Sequence, residues 1–398
     1  MTGQTNKQDG RWTTFLLLFA LILPACGGGE EEEDAIDRLD DCPAGPLFTV
    51  PPIALEDVVN FGTIGNINPP GHVIPSDHGG FYLRHTVLGD GTLGSPVLTD
   101  VMAPSNITII MVAKGEEYDA TGALINEDFA MEYSPCKQFK VKLGHVSTIS
   151  EKLEKALTDW DKCESYMIGS RNYHYCSQDV DFKVSAGDII GTIGGPGGPL
   201  GMDFGGFDAR INPLAFANPK RYFTNRHMLD SLHVVCPLDY YEEETKAKLY
   251  QTVGWTPFPG DPNGFLPRTV EPICGEYMQD KPGTLQGNWF LTTDALESDF
   301  DYHLAMVHWQ PDPTQAILVI GLQPAGGFYY QFQPEQSGLV NRDFPDIRAD
   351  GNIYCYGNSP RVLAQLLNDK EVRVEQQEDF CIQGGDYLFT DNAVTYQR

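Results

Sequence analysis

Short apolar runs, each cut off within a few residues by glycine, proline or asparagine, leave this chain little room for long helices. Residues 107–112 read Ile-Thr-Ile-Ile-Met-Val, residues 139–143 Phe-Lys-Val-Lys-Leu and residues 189–193 Ile-Ile-Gly-Thr-Ile. Runs of this length and composition between turn residues are strands. The pattern fades over residues 254–272, which are rich in proline and glycine, and resumes at 287–291, 304–308, 316–320 and 328–330. The expected fold is therefore mainly β: one β domain over residues 48–253, a linker over 254–282, and a second, antiparallel β domain over 283–398. Three helices are expected. One spans 148–162, with Leu153, Ala156 and Leu157 on one face and Ser147 or Ser150 as its N-cap. The others span 240–250 and 360–368.

The 398 residues carry 27 basic and 55 acidic side chains, a formal charge of -28. A field of that sign repels nucleic acid and anionic lipid surfaces, which argues against both as partners of the folded part. There is no calcium-loop pattern of alternating aspartates, no G-x-S-x-G, no P-loop and no H-E-x-x-H. In the loop from Gly194 to Pro199, two prolines remove N–H donors that phosphate binding would use. Of nine cysteines, eight follow residue 41: Cys42, Cys136, Cys163, Cys176, Cys236, Cys274, Cys355 and Cys381. None forms a CxxC pair, and the even number suggests disulfides in an exported protein. Cys163 with Cys176 and Cys355 with Cys381 are near enough in sequence to bridge local loops, and Cys236 with Cys274 would staple the region between the domains.

The N-terminus explains the export. Lys7 and Arg11 precede an apolar run over residues 12–23, too short to span a bilayer comfortably, and Leu23-Pro24-Ala25-Cys26 follows. This resembles the lipobox of bacterial lipoproteins, in which the signal peptide, here residues 1–25, is removed and the cysteine is acylated. The resemblance implies that Cys26 holds the chain on membrane lipid in the cell envelope. By that family's sorting rule Gly27 points to the outer membrane or cell surface. Gly27 to Gly29 and the acidic run Glu30 to Asp34 have no apolar content, so residues 26–47 are expected to form a solvated acidic tether.

Three segments carry the remaining signal: Pro70 to Gly80 with His72, Asp77 and His78; Lys142-Leu143-Gly144-His145-Val146-Ser147; and residues 184–194 followed by 201–210. Together they resemble the M23 (lysostaphin-like) peptidases, whose domain is a β-sandwich related to the duplicated hybrid motif. The resemblance covers roughly residues 69–222. It implies a zinc site, with His78 as the first ligand and His145 as a catalytic histidine. The aspartate that the family places four residues after the first histidine is Tyr82 here. In the last strand, aligning Phe207-Asp208-Ala209-Arg210 with the family's Phe-Glu-x-Arg puts Phe204 and Gly206 on the two histidines, and sliding by one puts Asp203 and Gly205 there. Either way the final zinc ligand is glycine.

Three functional readings follow. One is an inactive M23-like domain that binds peptidoglycan peptide or an envelope protein and needs no cofactor. Another is a zinc endopeptidase with a site rebuilt from His72, Asp77, His78, His145 and Asp203. The last is a surface binding or structural module. In the C-terminal domain, Gly287-x-Trp289 resembles the opening of lipocalin-like barrels. His303 and His308 are an odd number of positions apart, so one regular strand places them on opposite faces. The dense aromatics there fit a core or a sugar platform.

Overall fold

The computed structural model describes residues 34–398 except 159, 161, 169, 223–230, 258, 259, 262 and 325. The expected signal segment, Cys26 and the start of the expected tether lie outside the described residues, and the rest of the 26–47 range is docked rather than free: Ile36 and Leu47 are buried and Cys42 is bridged to Cys136.

The fold is mainly β, as the run lengths require. The first sheet is built from Val58–Gly62 (β1), Gly79–Leu83 (β2), Ile107–Tyr118 (β3), Leu124–Cys136 (β4), Phe139–Val146 (β5), Lys162–Ile168 (β6), Arg171–Val184 (β7) and Gly201–Asp208 (β8). In space the order is β1-β2-β8-β5-β4-β3-β7-β6, all antiparallel. A smaller sheet of Thr99–Met102, Ile189–Ile193 and Thr148–Ile149 lies beside it. Phe61, Phe81, Phe139, Phe204, Val101 and Ile193 are all buried in one cluster, so apolar side chains from both sheets share a core.

The second sheet comprises Gly287–Phe290 (β9), His303–His308 (β10), Ala316–Ile320 (β11), Phe328–Phe332 (β12), Tyr354–Gly357 (β13), Arg361–Asn368 (β14), Glu371–Gln377 (β15) and Val394–Gln397 (β16). Its order, β12-β11-β10-β9-β16-β15-β14-β13, is an up-and-down meander in which the first and last strands pair. The two edges curl toward each other until Phe332 on β12 lies 5.5 Å from Tyr356 on β13, giving a nearly closed barrel. Trp289, Leu304, Leu318, Val362 and Tyr396 fill its interior. The opposite face of β9 to β11 supplies Phe290, Ala305, Val307, Ile317 and Val319 to the core of the first sheet. Residues 35–398 accordingly form one compact unit. The proline-rich stretch between the sheets contains a two-stranded ribbon, Gly254–Trp255 with Leu266–Pro267.

Two helix expectations are corrected. Of the expected helix over 360–368, residues 361–368 form strand β14, because Val362, Ala364 and Leu366 point into the barrel and both edges of the strand find partners. The helix expected over 148–162 shrinks to Glu151–Glu154, capped by the Ser150 side chain, with strands on either side. The helix expected over 240–250 is present as Glu243–Tyr250. All eight cysteines after residue 41 are bridged: Cys163–Cys176, Cys236–Cys274, Cys355–Cys381 and Cys42–Cys136.

Candidate functional site

Strands β2, β8 and β5 lie side by side, and their register decides which side chains meet. Asp203 on β8 is paired with Gly80 on one side and Gly144 on the other. Both neighbours lack a side chain, and at Gly144 the reason is steric: a Cβ there would lie 2.5 Å from Asp203 Oδ2. Asp203 thus occupies a slot that glycine keeps open. Gly205 faces the same way, since its Cβ would meet His78 Cβ at 3.0 Å, while Phe204 is buried against Phe81 and Gly206 faces Pro237. Of the two registers compatible with the sequence, the structure has the one that turns Asp203 and Gly205 toward His78.

His78 ends the loop before β2, and both of its ring nitrogens are engaged. Nδ1 lies 2.6 Å from Asp77 Oδ1 and Nε2 lies 3.4 Å from Asp203 Oδ2. His145 mirrors it, with Nδ1 2.6 Å from Asp128 Oδ2 and Nε2 3.6 Å from the same Asp203 oxygen. A β-bulge makes this possible: Phe129 and Met131 of β4 oppose Val146 and Leu143 of β5, which leaves an extra residue on β5. His145 takes up the slack at φ 60°, a conformation that costs a non-glycine residue energy and clusters at functional sites. Lys142, on the same strand, sits 3.6 Å from Asp77 Oδ1. His72 is brought in by paired backbone hydrogen bonds with Asn68, and its ring centroid is 5.0 Å from that of His78.

The charges respond to this packing. Burial disfavours the charged form of His78, but Asp203 and the hydrogen bonds to Asp203 and Asp77 outweigh it and raise the pKa to about 9. At His145 the Asp128 hydrogen bond leads, with Asp203 adding to it, and the pKa is again about 9. Burial would push Asp203 up, yet His78, His145 and Lys142 hold it well below the usual carboxylate range. Asp77 is held down likewise by Lys142 and His78 against its burial. His72 goes the other way: burial, then the neighbouring His78, lower it to about 4, so it is neutral near pH 7. Three carboxylates, Asp77, Asp128 and Asp203, therefore meet three cations, His78, His145 and Lys142, and the buried Glu132 directly across the strand pair from Lys142 adds a further carboxylate.

His78, His145 and Asp203 line a cavity of about 370 Å³ with His72, Tyr82, Asn126 and the loop residues Gly198 and Pro199. A wider cleft of about 800 Å³ continues from His72 and His145 past Arg171 and Tyr173 to Phe328 and Tyr329 of the second sheet. Zinc ligands sit about 2.0–2.2 Å from the metal, hence about 3.4 Å from each other in a tetrahedron. The two histidine–Asp203 distances approach that edge length. The third side does not close, because Cys163, His174 and Cys176 are the only group among the described residues whose three donor atoms all lie within 4.8 Å of one another. As arranged, the residues do not fit a zinc ion. The sequence pointed to His72, Asp77, His78, His145 and Asp203, and the structure brings all five together. It also adds Lys142, which stands in the His145 segment without a role in the motif, and Asp128, which no local motif marks because strand pairing alone delivers it. His303 and His308 do diverge: His303 is buried with Nε2 on the Leu296 carbonyl oxygen, and His308 contacts Asp343. No protein-family model, curated protein or solved structure matches the chain.

Proposed function

We propose that the protein is a lipid-anchored cell-envelope lipoprotein whose first β domain is an M23-like scaffold without peptidase activity, using its charged cleft to bind a cell-wall peptide or an envelope protein. The observation that carries this reading is the state of His78: both nitrogens face carboxylates, Nδ1 at 2.6 Å from Asp77 and Nε2 at 3.4 Å from Asp203. The family's other two zinc-ligand positions correspond to Tyr82 and Gly205, and glycine has no donor atom. Lys142 supplies positive charge where a metal would otherwise be needed. The cleft stays open and lined with fixed charges, which suits an ionic ligand such as a peptide bearing free amino and carboxyl groups. Export and anchoring are supported by the Leu23-Pro24-Ala25-Cys26 sequence and by four bridges among eight cysteines.

A rebuilt zinc endopeptidase site is the second reading, favoured by one feature. Each histidine rests one nitrogen on a carboxylate and aims the other at Asp203, the pattern of metal-ligating histidines and their supporting acids. The protein purified without residues 1–25 separates the two. The binding reading expects less than stoichiometric zinc and retention on isolated peptidoglycan or on an envelope partner, weakened by Asp203→Asn. Stoichiometric zinc that disappears in His78→Ala would establish the rebuilt site instead. Palmitate labelling that depends on Cys26 tests the anchor.

A further inference from the structure

The β6–β7 hairpin borders the wide cleft through Arg171 and Tyr173, and its far end carries four polar side chains on one face. Cys163 is directly opposite Cys176, and Ser165 directly opposite His174. Side chains alternate along a strand, so Cys163 and Ser165 share a face with His174 and Cys176. His174 Nε2 lies 3.3 Å from Cys176 Sγ, and its Nδ1 lies 3.0 Å from Ser165 Oγ. In the tautomer with the proton on Nδ1, Ser165 accepts it and the Nε2 lone pair faces the sulfur. A ligating histidine is normally fixed in this way by a partner on its other nitrogen.

We infer that Cys163, Cys176 and His174 form a metal site that exists only when the Cys163–Cys176 bridge is reduced, and that it takes a thiolate-seeking divalent cation such as zinc. The two sulfurs are held together by the bridge and His174 Nε2 lies within 4.8 Å of both, so on reduction the sulfurs need only part to the edge of about 3.8 Å that Zn–S bonds of about 2.3 Å require. The sulfur-to-nitrogen distance is close to the edge of about 3.5 Å expected when Zn–S is about 2.3 Å and Zn–N about 2.0–2.1 Å. Two thiolates and one imidazole leave a fourth position for water or a ligand from outside.

The chemistry balances with a dithiol as reductant. The bridge takes two electrons and two protons from the dithiol, which becomes a disulfide. The divalent cation then displaces both thiol protons to solvent. Access favours this bridge over the others: Cys136, Cys274 and Cys355 are buried halves of their bridges, whereas Cys163 is exposed and Cys176 half-buried. The site is separate from the His78 cluster and stands or falls independently of the cleft's function.

The test uses the full chain with Cys26→Ser, reduced by a mild dithiol until two thiols titrate, with alkylation and peptide mapping to assign them. Cobalt(II) is then added. The expected result is one further cobalt per chain on reduction with a sulfur-to-cobalt charge-transfer band, release of two protons, displacement by zinc, and no such band in the oxidised chain. His174→Ala, with circular dichroism unchanged, should weaken cobalt binding by about tenfold or more, and Cys163→Ser/Cys176→Ser should abolish it. The inference is overturned if a different bridge opens first, if the reduced chain shows no such band at a large excess of cobalt, if the band survives in the double serine variant, or if His174→Ala binds as tightly as its parent.

Discussion

Asp203 is the residue on which the cluster depends, since two imidazoles share one of its oxygens. Asp203→Asn keeps the shape and removes the charge. The pKa values of His78 and His145, both about 9, should then fall, and proton NMR of the ring protons reads the change. Gly144→Ala acts sterically, because its Cβ would collide with the same carboxylate. It should cost about 1–3 kcal/mol in urea denaturation, as overpacking does. His303 gives a pH dependence of its own. Burial lowers its pKa from 6.5 to about 4. Between those values the unfolded chain binds a proton that the folded chain refuses, so this contribution to stability is complete above pH 6.5 and is lost as the pH falls toward 4. At about 1.4 kcal/mol per unit it amounts to roughly 3 kcal/mol. Urea midpoints at pH 7 and pH 4.5 should therefore differ less in His303→Gln than in its parent.

Strands and bridges were more legible in the sequence than helices were. Residues 107–112, 139–143 and 189–193 declared themselves by composition and bounding turns, and three of the four bridges are pairings that the cysteine spacing allowed without fixing. Residues 360–368 did not, because Val362-Leu363-Ala364-Gln365-Leu366-Leu367 has no clean alternation and Pro360 can open a helix. Pairing on both edges decides the matter in the fold. Ala364→Pro should accordingly cost more than the roughly 3 kcal/mol typical of a helix interior, since it deletes a ladder hydrogen bond within a buried central strand. At the site, His78 and His145 were visible through their motif neighbours. Asp128 was not: its place beside His145 comes from the β4–β5 register and bulge, which only the assembled sheet specifies.

On the scale of the whole molecule, the two sheets share apolar cover, and one buried cation ties them together. Arg221 donates through Nη1 to the carbonyl oxygens of Thr292 and Ala295 and stacks on Phe290 at 4.4 Å. Residues 35–398 should therefore unfold in a single calorimetric transition, and two resolved transitions would show separate cores. Arg221→Met should lower stability by roughly 3 kcal/mol, because charge-assisted hydrogen bonds are lost and buried carbonyls are left without a donor. The central claim is that His78 is an imidazolium held by carboxylates. Nitrogen-15 NMR of the side chain at pH 7, on protein purified without chelators, tests it most directly. The account predicts two equivalent-looking protonated ring nitrogens for His78. A neutral ring with Nε2 shifted by a bound metal, restored to the protonated pattern by a chelator, would contradict it.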